Sequence, residues 1–206
     1  MSYLFVGLGN PGTKYDYTRH NAGRLVLEDF QKYFEFTDWR KEKKAGASFA
    51  DGVFSEDDVT LCTPENYMNR SGESVRKLVK NPKDAKRMVV VHDEIDLPIG
   101  QFKIVFGKGA GGHNGVQSII NHVHTKDFIR IRVGVSPINW FGRMKKPQGR
   151  GAVTDFLLSD FKNREIEKLQ SLYPELRKAS EMIVAEGYEK AMNAFNDAEG
   201  REDEKV

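Results

Sequence analysis

Apolar residues along this chain fall into two rhythms. Short runs at Tyr3–Gly9, Ser48–Phe54, Val59–Thr63, Met88–His92, Phe102–Phe106 and Phe128–Val135 predict strands. In the last of these the alternation is strict: Ile129, Ile131 and Val133 share one face, Arg130 and Arg132 the other. Met88–Val91 is apolar throughout, as expected of a central strand covered on both sides. Between the strands the apolar spacing lengthens to three and four. Asn21–Phe36 sets Ala22, Leu25, Val26, Phe30 and Tyr33 along one helical stripe, and Ser71–Val79 and Asn114–Val123 repeat the pattern over fewer turns. Asn163–Phe195 carries the longest stripe. Pro174 should break or kink it, because proline removes a backbone donor and clashes with the preceding turn.

Strands alternating with helices predict an α/β fold. The expectation is a single domain over residues 1–196, with a twisted, mixed and mainly parallel sheet flanked by helices. The antiparallel element is a hairpin, Ser48–Thr63, turning at Ser55–Asp58. Residues 197–206 are charged, lack large apolar side chains before the last position, and are expected to be disordered.

Composition adds limits. At 206 residues, 39% hydrophobic and 30% charged, the chain can bury a substantial core. No apolar run approaches the roughly 18 residues of a membrane helix, and no charged leader precedes the first strand. A cytoplasmic protein without a membrane partner is expected. Cys62 is the only cysteine, which excludes an internal disulfide and a cysteine-based zinc site. The formal charge of +2 hides an asymmetry: Leu97–Arg150 holds nine Lys or Arg and one acid, Asp127, while the chain from Phe161 onward is net −3. Such a basic stretch suits a polyanion, with nucleic acid the obvious candidate; a solvated surface is the plainer alternative.

Glycines raise the first chemical question. Gly7, Gly9 and Gly12 follow a strand in the spacing of a dinucleotide site. That site needs a helix beginning inside the motif, so that its N-terminus meets the pyrophosphate. Here Asn10-Pro11 intervenes, residues 13–20 have no helical period, and no second strand ends in an acid about 20 residues on. A tight turn fits better. GKGAGG at 107–112 lacks the Lys-Ser/Thr of a P-loop, although amides just ahead of a helix can receive an anion.

In open α/β sheets, ligands lie beyond the carboxyl ends of the strands. The residues that follow the predicted strands are Asn10 and His20, then Tyr67 and Asn69, then His92, Asp93, Glu94 and Asp96, with His113 and Asn114 opening a helix. An imidazole can serve as general base, a carboxylate on its other nitrogen fixes the tautomer, and side-chain amides orient substrate or oxyanion. No G-x-S-x-G elbow exists and Cys62 lies inside a strand, so the set favours attack by an activated water. Each residue also has a structural use: Asn10 to initiate a turn, His20 or Asn69 to cap a helix, Asp93 to pair with a lysine. His122-x-His124 offers no specific metal-ligand spacing, and no metal site is expected, although five histidines keep a metal-dependent esterase as an alternative.

Taken together, VGLGNPG (6–12), TRHNAG (18–23), YMNRSG (67–72), HDEIDLPIG (92–100) and GGHNG (111–115) resemble, in order and spacing, the bacterial peptidyl-tRNA hydrolases. The resemblance runs from Leu4 to about Phe161 and in outline beyond. It implies that His20 activates water, that Asp93 supports its basic form, and that Asn10 distinguishes a blocked from a free amino group. It implies further that Asn69 and Asn114 hold the substrate, with Tyr15 and Tyr67 beside the tRNA end, Met68 and His113 lining the cleft, and Lys103 and Arg132 as basic tRNA contacts. A monomer without cofactor, acting on peptidyl-tRNA, is implied. The alternative is a non-catalytic RNA-binding paralogue of the splicing type. Residues 140–153, WFGRMKKPQGRGAV, form a longer and more basic loop than the family pattern.

Overall fold

A computed structural model describes residues 2–139 and 143–196 of the chain. Strands β1 (Tyr3–Gly7), β2 (Arg40–Glu42), β3 (Ala47–Phe54), β4 (Asp57–Pro64), β5 (Met88–Pro98), β6 (Phe102–Phe106) and β7 (Ile129–Ser136) form one seven-stranded sheet in the order β2-β3-β4-β1-β5-β7-β6. The central strands β4, β1, β5 and β7 pair in parallel. The flanks pair antiparallel, β2 with β3, β3 with β4, and β6 with β7. The mixed sheet is therefore as expected, with its parallel pairing confined to the centre. The predicted hairpin is β3–β4, closed between Phe54 and Asp57 with Ser55 at φ 56°.

Helices α1 (Ala22–Tyr33), α2 (Ser71–Val75), α3 (Pro82–Lys86), α4 (Asn114–Val123), α5 (Arg150–Leu158), α6 (Asn163–Ser171), α7 (Tyr173–Glu186) and α8 (Tyr188–Asn196) cover the sheet. The long C-terminal stripe is three helices. Pro174 sits in the first turn of α7, where its missing N–H leaves no bond unmade. The second break falls at Gly187, whose φ of 93° and ψ of 156° form an extended, positive-φ conformation open mainly to glycine, so the helix stops there.

The apolar run of β5 alternates between two cores. Val89 and Val91 join Phe5, Ile129 and Ile131 against Val26 and Phe30 of α1 and Leu176 and Ile183 of α7. Met88 and Val90 join Val6 and Cys62 against Val75, Val116 and Ile119 on the other side. Both faces are covered, so no polar alternation survives in the strand. The Cys62 thiol, fully buried, has its pKa pushed up to about 12 by that burial, which removes it as a nucleophile at neutral pH.

Two features of the fold prepare the site. First, α1 lies directly on the ends of β1 and β5. A Cβ on Gly23 would fall 2.2 Å from the Val91 carbonyl oxygen and 2.7 Å from the Leu8 nitrogen, so only glycine permits the approach. Second, β5 runs further than the apolar pattern predicts. Asp93 and Glu94 are still in the ladder, opposite Val133 and Gly134, and the register shifts only between Glu94 and Pro98. Asp93 is thus held by a strand rather than by the loop after it. Residues 140–142 of the basic loop, and the tail expected to be disordered, lie outside the described residues; an Ile138–Met144 bridge flanks the former, and 150–153, expected in the loop, are the start of α5.

Candidate active site

β1 ends at Gly7, and the chain turns through Asn10-Pro11-Gly12, with Gly12 at φ 101°. A single 3₁₀ turn at Thr13–Tyr15 follows, then a second at Arg19–Asn21, and α1 starts only at Ala22. The glycine-rich turn therefore leads to no helix N-terminus, and the dinucleotide spacing has no pyrophosphate site behind it.

Asn21 closes this loop. Its Oδ1 accepts from the Asn10 backbone N–H at 2.8 Å, and its Nδ2 donates to the Asn10 carbonyl at 3.0 Å. Asn10 in turn accepts at Oδ1 from the Met68 N–H at 2.8 Å. The side chain of Asn10 is thereby fixed with its amide NH₂ left for the cleft it lines. Met68 belongs to a short 3₁₀ turn, Met68–Arg70, whose Asn69 is exposed at the same cleft.

The centre is a buried triad of side chains. His20 Nδ1 lies 2.8 Å and His113 Nε2 2.9 Å from the same oxygen, Oδ1 of Asp93. The tautomers follow from the partners. His113 caps α4, accepting at Nδ1 from the N–H groups of Gly115 and Val116 at 3.1 and 3.3 Å, so its ring proton is on Nε2 and donates to Asp93. His20 likewise donates from Nδ1, which leaves its Nε2 lone pair for the cleft. His92 packs edge-on beneath His113, ring centroids 4.6 Å apart, and Nδ1 donates to the Asp93 carbonyl at 2.7 Å. Burial, then the neighbouring His113, keep His92 well below the usual histidine range, in keeping with a structural part.

The charges are set by this packing. Burial works against an ionised Asp93, which is 2% exposed, but the two imidazoles outweigh it and hold its carboxyl below the usual carboxylate range. Burial also opposes a charge on His20; the Asp93 carboxylate prevails and raises the His20 pKa above its ordinary value. His20, Asp93 and His113 place one ligand atom each within 4.8 Å, a spacing able to hold a cation. A metal would require Nε2 of His113 without its proton, and that is the donor the ring has left once Nδ1 accepts two backbone N–H groups. The donor set fits a hydrogen-bonded relay better than a metal site.

The cleft over His20 measures about 370 Å³. Asn10, His20, Tyr67, Met68, Asn69, His113 and Asn114 all line it, so the structure brings these predicted residues together. Tyr15 is not among them: it is half-buried, under the Lys14 ammonium, which lies 4.6 Å from its ring centroid. Lys103 and Arg132 stand opposite each other on β6 and β7, outside the cleft, where Arg132 Nε also meets Glu94 at 2.8 Å.

The opposite wall is α5, with Arg150, Val153, Thr154, Leu157 and Leu158. Its role is invisible in the sequence, because a helix with no fully buried residue shows no sharp apolar stripe. Equally hidden is what holds it. Arg19 is 4% exposed and stacks on Phe156 and Phe161. Its NH1 donates to Ser159 and Asp160, and its NH2 to Glu165 at 2.6 Å. Glu165 Oε2 also accepts from Lys162 N–H at 2.7 Å, capping α6. Through Arg19, the turn that presents His20 is bound to the segment joining α5 and α6.

An imidazole on a buried carboxylate at the carboxyl ends of parallel strands, beside an amide-lined cleft, defines an α/β protein of hydrolytic type. The family model of the peptidyl-tRNA hydrolases matches residues 4–204, and the chain belongs to that family, which makes it an ester hydrolase acting on peptidyl-tRNA. Among curated relatives, the peptidyl-tRNA hydrolase of Thermodesulfovibrio yellowstonii is 38% identical over 94% of this chain and 98% of its own. That of Syntrophotalea carbinolica is 39% identical over 94% and 96%. The crystal structure of peptidyl-tRNA hydrolase from Acinetobacter baumannii superposes with a TM-score of 0.83 at 31% identity, covering 94% of each chain.

Proposed function

We propose that this protein cleaves the ester between an N-blocked peptide and the 3′-terminal ribose of tRNA by direct attack of water, with His20 as general base. The observation that carries the reading is the His20–Asp93 contact, which leaves Nε2 of His20 as the lone pair facing the cleft. Nε2 takes a proton from water as the water oxygen attacks the ester carbonyl. Asp93 stabilises the imidazolium, and the proton then passes to the departing ribose oxygen. Asn69 and Asn114 donate to the substrate near the developing oxyanion. Asn10, its Oδ1 committed to Met68, offers only donors to the cleft, which suits an amide carbonyl of the blocked amino group and disfavours an ammonium. The α5 wall supplies apolar contact for the peptide. A monomer acting in the cytoplasm, without cofactor, completes the reading.

The test compares release from N-acetyl-aminoacyl-tRNA with release from free aminoacyl-tRNA, with and without EDTA. Preferential, EDTA-insensitive cleavage of the blocked substrate is expected. Cleavage of neither would favour an RNA-binding role, and loss with EDTA a metal-dependent esterase.

The pH profile gives a second check. The base works only when neutral, so kcat/KM should rise with pH through an apparent pKa above the ordinary 6.5 of histidine. In Asp93→Asn the raising charge is gone and burial remains. The limb should then move below 6.5 while the plateau falls by roughly 10²–10⁴-fold. A limb unmoved in the variant would remove Asp93 from its contact with the base.

A further inference from the structure

Outside the cleft, the described surface carries a second concentration of positive charge. Residues 40–44 and 76–87 hold ten Lys or Arg against two acids, a net of +8 on 17 residues. With Leu97–Arg150 also at +8 and the whole chain at +2, the remainder is net −14. The fold joins the two short segments into one face. Lys77 Nζ donates to the Lys44 carbonyl at 2.7 Å, and Ser74 Oγ to the Gly46 carbonyl at 2.6 Å, tying the turn after β2 to α2. Lys83, Lys86 and Arg87 line a concavity of about 560 Å³, and Lys80 and Arg87 an adjoining one of about 350 Å³.

Arg40 and Lys41 pair with Asp51 and Glu65, but the others form no ion pair among the described residues. Lys43, Lys44, Lys80, Lys83 and Lys86 are exposed. Asp84, the acid in their midst, also lines both concavities, its Oδ2 accepting from the Lys80 N–H and from Asn81 Nδ2. Apolar anchors are missing: none of the exposed large hydrophobic side chains falls within either segment. A face built to enter a bilayer interleaves such side chains, whereas one that follows a phosphate backbone has no use for them.

Position selects the ligand. α2 begins directly after Met68–Arg70, the turn that lines the cleft. From Asp93 beside His20 back to Met88, next to Arg87, is one strand length, about 17 Å at about 3.3 Å per residue. At one phosphate per about 3.4 Å of strand, that is the reach of about five nucleotides. We infer that the face formed by residues 40–44 and 76–87 binds the phosphate backbone of the tRNA body whose 3′ end occupies the cleft. The inference rests on the proposed reading of that cleft and adds to it a binding surface apart from Leu97–Arg150.

The test is the triple variant Lys80→Glu, Lys83→Glu, Lys86→Glu, against a control with the same charge change elsewhere, Arg164→Glu, Lys168→Glu, Lys178→Glu. All six side chains are exposed, so both proteins should fold. Each phosphate that is no longer neutralised should lower the slope of log K against log salt by about 0.9, so tRNA affinity should fall roughly 10²-fold at about 0.15 M salt. Turnover of an N-acetyl-aminoacyl ester of the trinucleotide CCA, too short to reach the face, should stay within about twofold. Unchanged tRNA affinity and slope would overturn the inference, as would an equal decrease in the control. So would loss of binding to phosphatidylserine vesicles with tRNA binding intact, which would assign the face to a membrane. If neither wild type nor variant cleaves any ester, the reading of the cleft fails, while the tRNA affinities still decide the face.

Discussion

Replacing His20 with asparagine is expected to lower kcat by roughly 10²–10⁴-fold, the range for loss of a general base, with KM for tRNA little changed. The reason is geometric. Asparagine keeps a donor for Asp93 but has no second nitrogen to hold a lone pair over the cleft. Single-turnover kinetics on N-acetyl-aminoacyl-tRNA would read the chemical step directly. Because His20 is one of two donors to a buried carboxylate, its removal also threatens the fold, and thermal unfolding should accompany the rate. His20→Gly provides an independent measure: imidazole added to the solution should enter the vacated space and restore part of the rate. Near-normal turnover in His20→Asn would take the base role from His20.

The second large effect is on stability and concerns Arg19. Replacing it with methionine keeps most of the apolar stem but leaves Glu165 buried without its partner. The expected cost is about 3–5 kcal/mol, as for other buried pairs broken on one side, or roughly 6–20 °C in Tm for a domain of this size. Arg19→Lys should recover only part of it, since an ammonium cannot hold Ser159, Asp160 and Glu165 together while lying flat on two aromatic rings. Denaturant unfolding of both variants checks this. A lysine variant as stable as wild type would show that charge alone suffices. The same substitution loosens the segment carrying His20, so kcat should fall by about 10²-fold even where the protein remains folded, consistent with misplacement of a catalytic group by about 1 Å.

These two residues are neighbours in TRHNAG, yet only one of them was readable as functional. His20 stands out only in company: alone it could cap a helix, and it is the carboxylate and amides beyond the other strands, with the TRHNAG motif, that mark it. Arg19 does not: its partners are at Ser159, Asp160 and Glu165, and no local pattern connects positions some 140 residues apart. The centre of the fold was legible for the opposite reason. β5 announces itself by its apolar run, because burial on two faces is written directly into residue type. The alternation of β7 marks a strand but not its burial, since Arg130 on the second face is only 3% exposed. Boundaries were less so. The apolar run of β5 ends at Val91, but the ladder continues, since backbone pairing to β7 does not depend on the side chain at Asp93 or Glu94. Gly187 gives no such signal as Pro174 does, because a single glycine can be tolerated within a helix as readily as it ends one. For the site, the five motifs located Asn10, Met68, Asn69, His113 and Asn114 at the cleft. They did not disclose Asn21, whose two hydrogen bonds fix Asn10, nor the sharing of one Asp93 oxygen by two imidazoles. Residues 40–44 and 76–87 form no single basic run, because the fold unites what a linear window separates.

The strand order has a consequence for how the molecule comes into being. β1 precedes every other strand in the chain, yet it is the centre of the sheet, paired on one side with β4 and on the other with β5. One edge of β1 stays unpaired until β4 (Asp57–Pro64) has been made and the other until β5 (Met88–Pro98), so its apolar surface waits on segments made well after it. These are parallel, non-local pairings, the kind that close slowly. His20 and Asp93 meet only on that closure. A nascent chain halted before β5 would thus leave one edge of this central strand unpaired and hold no assembled site.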